Sequence, residues 1–186
     1  MSAAQPRPNV AVFGASWAQP DSALYALSVE LGKALAEGGY DVVSGGYLGT
    51  MEGVSKGAAG AGGGATGVLV PTLFPARGAE GNAFLTARVE APSLLTRIDA
   101  ITRLCPRLYI ALPGTLGTLA EICAAWNIAA LAPVGGYAPF RVVCWRAPWE
   151  KVLAGACEGL ALPAEHRACL VFVDSVAEAL AALRAA

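Results

Sequence analysis

The nine residues from Pro113 to Glu121, PGTLGTLAE, combine a glycine- and threonine-rich turn with a single acid. An apolar run, Leu108–Leu112, stops at Pro113 and Gly114, and a helical pattern begins around Gly117 and Thr118. The stretch therefore reads as strand, tight loop, helix. Such a loop presents unpaired backbone N–H groups at the positive end of a helix dipole, a combination suited to phosphate. Glu121 is expected in the first helical turn, its carboxylate facing whatever the loop holds. The bland reading is a helix-start acid favoured by the dipole, worth only ~0.3–1 kcal/mol. Other turns of similar character are Gly14-Ala15-Ser16, Gly45-Gly46 and Gly49-Thr50. Each follows a strand-like run, and open α/β sheets bind ligands outside the carboxyl ends of their strands. These turns, with Pro113, Gly114, Thr115, Gly117 and Thr118, are the candidate phosphate and nucleotide contacts. Each glycine also has a plainer explanation, since turns use Gly for positive φ with no ligand present.

The elements that must position these groups alternate. Asn9–Phe13 reads as a buried strand, and a helix capped by Asp21 or Ser22 runs to Glu37, where Gly38-Gly39 ends it. Asp41–Ser44 is a second strand, and Gly49 and Thr50 open a helix running to about Ala59. A strand follows at Thr66–Leu69, then a long excursion, Pro71–Glu90, with a short strand at Thr86–Val89. A helix starting at Pro92 reaches Leu104, with Leu94, Leu95, Ile98, Ile101 and Leu104 as its apolar set and Arg97 and Arg103 as polar members. After the central motif come strands at Phe140–Cys144 and Cys169–Val173, and helices at Pro148–Cys157 and from Ser175 onward. This alternation predicts one doubly wound, Rossmann-like α/β domain over residues 1–186, a parallel sheet with helices on both faces and right-handed crossovers. The first turn lacks GxGxxG and the second strand ends without an acid, which argues against a nicotinamide or flavin dehydrogenase.

Bulk properties narrow the partners. A net charge of −1 over 186 residues gives no general attraction for nucleic acid or an anionic membrane. No uncharged apolar run approaches the ~20 residues of a membrane span. The start, MSAAQPRPNV, has no basic region followed by a signal-type apolar core, so the reading is a cytoplasmic protein with a flexible tail over residues 1–8. The five cysteines, Cys105, Cys123, Cys144, Cys157 and Cys169, form no CxxC pair and read as buried apolar side chains. His166 is the only histidine, which leaves a metal site or a His-activated nucleophile without partners. The helix from Leu119 to Leu131 is apolar nearly all round, so it is expected to be buried on every side, with a second copy covering the face that the sheet does not.

PGTLGTLAE resembles the PGGxGTxxE signature of the LOG family, the cytokinin-activating phosphoribohydrolases often mislabelled lysine decarboxylases. Ser44–Gly57, SGGYLGTMEGVSKG, is similar to that family's second glycine loop, and Val10–Ser16, VAVFGAS, to its first strand and turn. The resemblance spans roughly Asn9–Leu131. It implies hydrolysis of the N-glycosidic bond of a purine or cytokinin nucleoside 5′-monophosphate, with no cofactor and no metal, by a homodimer. It further implies Glu121 as the catalytic acid and Arg97 as its companion, aligned with the arginine of the family's MHxRK segment. Leu94, Leu95 and Ile98 replace the Met, His and Lys of that segment. Thr115 stands where the family has its second glycine. It is expected either to strain a position that glycine adopts easily, at about 1 kcal/mol or more, or to donate its hydroxyl to phosphate. The rival implied by related folds is a non-catalytic carrier of a nucleotide or of the molybdenum cofactor. Lysine decarboxylation would need a pyridoxal-bound lysine, and Lys33, Lys56 and Lys151 all lie outside the glycine turns.

Overall fold

A computed structural model describes residues 6–75 and 80–185. Seven parallel strands make one sheet. In chain order the elements are β1 (Asn9–Phe13), α1 (Ala23–Glu37), β2 (Asp41–Ser44), α2 (Thr50–Gly60), β3 (Ala65–Leu69), β4 (Ala87–Glu90) and α3 (Leu94–Leu104). They continue with β5 (Tyr109–Ala111), α4 (Leu116–Leu131), β6 (Val142–Trp145), α5 (Arg146–Gly159), α6 (Ala164–Arg167), β7 (Leu170–Val173) and α7 (Val176–Arg184). The sheet order is β4-β3-β2-β1-β5-β6-β7, so the chain winds outward from β1 in one direction and from β5 in the other. This is the expected doubly wound fold, and its switch point lies between β1 and β5. Most of the tail predicted over residues 1–8 falls outside the described residues. Among the described residues, no helix is long and apolar enough to cross a membrane.

The central strands are buried on both faces, as a parallel sheet requires, with Val10, Val12, Val43, Ile110 and Val143 almost wholly inaccessible. Helices α1 and α2 pack backbone to backbone. A Cβ on Gly32 would lie 2.1 Å from the Val54 carbonyl oxygen, and one on Gly57 would lie 2.0 Å from that of Val29. That close approach holds the N-terminus of α2 beside the end of β1. Ser22 and Ser93 cap α1 and α3 by accepting from Tyr25 and Thr96 backbone N–H groups, and Thr96 closes a capping box.

Helix α3 buries only part of its apolar set, with Ile101 buried and Leu104 packed against the core. Arg97 and Ile101 point inward, whereas Leu94 and Leu95 are 45% and 79% exposed. Within the single chain, helix α4 is buried on one side. Ile122 and Trp126 face the core, and the Trp126 indole N–H donates to the His166 carbonyl at 2.7 Å. Leu116, Cys123, Ile128 and Leu131 remain exposed along its outer side. Cys123 therefore departs from the buried pattern expected of the cysteines, which Cys105, Cys144 and Cys157 follow.

Candidate active site

Three turns are stitched together at the switch point. The Ala15 amide donates to the Pro113 carbonyl at 3.1 Å, joining the turns after β1 and β5. The Ala15 carbonyl accepts from the Thr50 amide at 2.9 Å and from the Thr50 hydroxyl at 3.2 Å, which brings in the N-terminus of α2. Gly49 caps that helix at φ +70°. A Cβ on Gly14 would lie 2.4 Å from Thr50 Oγ1, so these turns meet only because Gly14 has no side chain. Gly46, at φ +73°, turns the chain after β2. Its carbonyl accepts from the Asn82 amide at 2.8 Å, so the excursion between β3 and β4 folds back over this second loop.

A pocket of about 210 Å³ opens above this platform. Its lining combines glycine, serine and threonine (Gly14, Ser16, Thr115, Gly117 and Thr118) with apolar residues that include Met51, Phe74 and Leu94. Gly45, Arg97 and Glu121 lie with them in the lining. Of the residues singled out by sequence, Gly14, Ser16, Gly45, Thr115, Gly117, Thr118, Arg97 and Glu121 line the pocket. Ala15, Gly46, Gly49, Thr50, Pro113 and Gly114 do not. The latter build the platform; a Cβ on Gly114, for example, would lie 2.2 Å from Thr118 Oγ1. Sequence reasoning did not assign Met51, Phe74 or Leu94 to the site. Apolar residues at ordinary helix and loop spacing carry no such signal.

Thr115 is the N-cap of α4 at φ −123° and ψ −158°, extended backbone that any residue adopts. The strain anticipated for this departure from the glycine pattern is absent. Its hydroxyl makes no capping bond, so it stays available at the pocket edge. Helix α4 begins at Leu116, which places Glu121 in the second turn, and the first turn holds no acidic residue. The helix-start explanation for this acid therefore lapses.

Glu121 instead faces Arg97. Glu121 Oε1 lies 3.9 Å from Arg97 Nη2, and both side chains are nearly buried. At that separation the pair attract but do not share a hydrogen bond. Burial pushes the Glu121 carboxyl up from its ordinary 4.5 to about 7, with Arg97 pulling the other way. The Arg97 guanidinium rests 3.8 Å from the Met51 sulfur and 5.9 Å from the centroid of the Tyr47 ring, and its buried Nε–H has no hydrogen-bond partner among the described residues. A buried, unsatisfied guanidinium donor beside an acid poised near neutrality is costly to fold. Such arrangements concentrate where a ligand supplies the missing acceptor. Among the described residues, no group of three or more His, Cys, Asp or Glu side chains could hold a metal ion.

A larger groove of about 780 Å³ lies at the opposite end of the sheet, between the C-terminal parts of α3 and α4. Its lining includes Ile128, Leu131, Val134 and Tyr137 and contains no carboxylate, so it offers none of this chemistry.

A model of the SLOG cluster4 family, a LOG-like group, matches residues 7–137. The chain belongs to this family. No curated protein sequence matches it. Among solved structures, TM1055 is 24% identical, with 96% of this chain and 99% of that chain covered and a TM-score of 0.73. The molybdenum cofactor binding protein of the phototrophic bacterium Rippkaea orientalis is 18% identical, with 96% of both chains covered and a TM-score of 0.72. The Moco carrier protein of Chlamydomonas reinhardtii is 22% identical, with 96% of both chains covered and a TM-score of 0.70. At these identities the SLOG protein described here shares a fold with all three.

Proposed function

We propose that the protein hydrolyses the N-glycosidic bond of a purine or cytokinin-type nucleoside 5′-monophosphate, releasing the base and ribose 5-phosphate. The observation that carries this reading is the buried Arg97–Glu121 pair, held 3.9 Å apart in a pocket lined by both glycine-threonine turns and apolar side chains. Phosphate belongs at the turn amides and hydroxyls of Ser16, Thr115, Gly117 and Thr118. The base belongs against Met51, Phe74 and Leu94. A pocket of about 210 Å³ is smaller than most ligand sites, so the base projects past Leu94 toward the apolar hollow formed with Leu73 and Leu95. Between these ends the ribose faces Glu121. Departure of the base leaves positive charge on the ribose, which a fixed carboxylate stabilises while it orients and deprotonates the attacking water. Arg97 grips phosphate or ribose through its free donors. The reaction as written needs neither metal nor organic cofactor.

The decisive experiment is incubation with AMP or a cytokinin riboside monophosphate, with chromatography of the released base. Cleavage is expected for the monophosphate and not for the free riboside, because the turns supply orienting binding energy through the phosphate. A second reading, a non-catalytic carrier of a nucleotide-like ligand, is favoured by the fold shared with a protein described as binding the molybdenum cofactor and another described as its carrier. Tight binding with no base released over long incubation would establish the carrier.

The same reading includes a homodimer. Ile128, Leu131, Val134 and Tyr137 are 39%, 50%, 84% and 69% exposed, a continuous apolar surface of the kind a monomer seldom leaves bare. A second copy presenting the same strip covers it by two-fold symmetry. Trp126, which is buried and bonded within its own chain, is no part of that surface. Leu131→Glu should therefore give monomers by light scattering with the fold retained. A single-chain mass for the unmodified protein at micromolar concentration would rule the dimer out.

A further inference from the structure

We infer that Gly45 is the seat of Arg97: the space left by its missing side chain is occupied by the guanidinium, and Gly45 acts on the site through that side chain rather than by binding phosphate. A Cβ built on Gly45 would lie 1.4 Å from Arg97 Nη2, 2.6 Å from Cζ and 2.7 Å from the Met51 sulfur. No conformational reason for glycine exists at this position, because Gly45 is not among the residues with positive φ, whereas its neighbour Gly46 is, at +73°. The Gly45 backbone is open to residues other than glycine; what forbids a side chain there is the guanidinium, with the Met51 sulfur also too close at 2.7 Å.

The seat has two more walls. Met51, in the first turn of α2 and buried, lies 3.8 Å from Arg97 Nη2 through its sulfur. Tyr47 lies beneath the guanidinium, its Cζ 5.9 Å from the ring centroid, and the Tyr47 hydroxyl is fixed by the Val70 amide at 2.8 Å. Loop two, α2 and α3 thus converge on one cation. The seat sets the Arg97–Glu121 separation at 3.9 Å, too long for the pair to close into a hydrogen-bonded ion pair. Arg97 keeps its donors for a ligand, and Glu121 keeps a carboxyl whose ionisation depends on where that cation sits. Gly45 and Met51 are positioning residues. The purpose of Arg97 rests on the hydrolase reading given above; the seat itself rests on the packing.

The test is a double-mutant cycle between Gly45→Ala and Arg97→Ala, read by thermal unfolding, by AMP affinity in calorimetry, and by the ¹³C titration of the Glu121 side chain. In the wild-type background, Gly45→Ala should lower the melting temperature, weaken AMP about tenfold or more through loss of charge-assisted bonds, and raise the Glu121 midpoint as the cation is displaced. In the Arg97→Ala background it should change all three far less, because only the movable end of Met51 then lies close to the new Cβ. Met51→Leu, which keeps the volume and removes the sulfur, should shift the Glu121 midpoint with the fold intact. It supplies the measurement if Gly45→Ala alone does not fold. In that case, folding of the double variant itself supports the seat. Equal costs for Gly45→Ala in both backgrounds, or an unmoved Glu121 midpoint in both Gly45→Ala and Met51→Leu, would overturn the inference. If wild-type protein neither binds nor cleaves AMP, the functional reading fails, while melting and titration still decide the seat.

Discussion

The second and third glycine loops look alike in sequence, SGGYLGT and PGTLGT, yet the molecule uses them in opposite ways. In the loop after β5, Thr115 and Gly117 are exposed, and a Cβ on Gly117 would meet nothing within 4 Å. Its amides lead into α4 with room for a ligand. In the loop after β2, the protein itself fills the space. The Arg97 guanidinium takes the place of a Gly45 side chain, and a Cβ on Gly46 would lie 2.8 Å from the Gly67 Cα. The Gly46 carbonyl is already tied to Asn82. Similar composition therefore serves ligand access in one loop and the placement of a cation in the other. A glycine pattern alone does not separate the two, because the difference lies in which distant side chain arrives.

The largest effect is expected where the two loops' work converges. Glu121→Gln should lower turnover by on the order of 10²–10³-fold while nucleotide affinity is largely retained, since the carboxylate acts on charge that develops only in the transition state. Single-turnover kinetics alongside calorimetry would separate the two. A variant with wild-type turnover would mean that the acid has been misassigned.

Next is a dependence of stability on pH. Glu121 is raised to about 7 in the folded protein from an ordinary 4.5, so between those values the folded state holds a proton that the unfolded chain releases. This contribution is complete at and below about pH 4.5, falls as pH rises, and levels off above pH 7. The burial cost exposed by that rise is about 3 kcal/mol. Glu121→Gln, which cannot ionise, should gain on the wild type in thermal melts as the pH is taken from 5 to 8. Parallel curves would show that the carboxyl is not perturbed. The same ionisation should give kcat/KM for AMP a rising limb near pH 7, because the carboxylate is the working form.

The smallest effects compare the loops directly. Gly46→Ala should destabilise by at least about 1–2 kcal/mol, since it combines a left-handed backbone with a backbone contact. Gly117→Ala should leave stability unchanged or raise it by up to about 1 kcal/mol, and should weaken AMP through the phosphate end. Chemical denaturation and calorimetry on both variants test the contrast. Equal destabilisation by the two substitutions would erase it.

Local rules read much of this protein from its sequence. Apolar runs of strand length, serine caps and helix-ending glycines account for β1, α1, β2 and α2 nearly to the residue, because those signals act within a few positions of the chain. Alternation of strand and helix led to the doubly wound sheet, and with it the gathering of turns at one edge. The motif itself pointed to Arg97 and Glu121. Tertiary structure alone decided how α3 packs: of its five apolar residues Ile101 is buried, but space beside Gly45 and Met51 drew Arg97 inward and left Leu94 and Leu95 exposed. It also decided that Thr115 is unstrained and that Glu121 lies in the second turn of α4, where burial raises its carboxyl. The reason is the range of the forces involved. Capping and periodicity are written into neighbouring residues, whereas desolvation and the contact of a guanidinium with a glycine depend on segments some fifty residues apart.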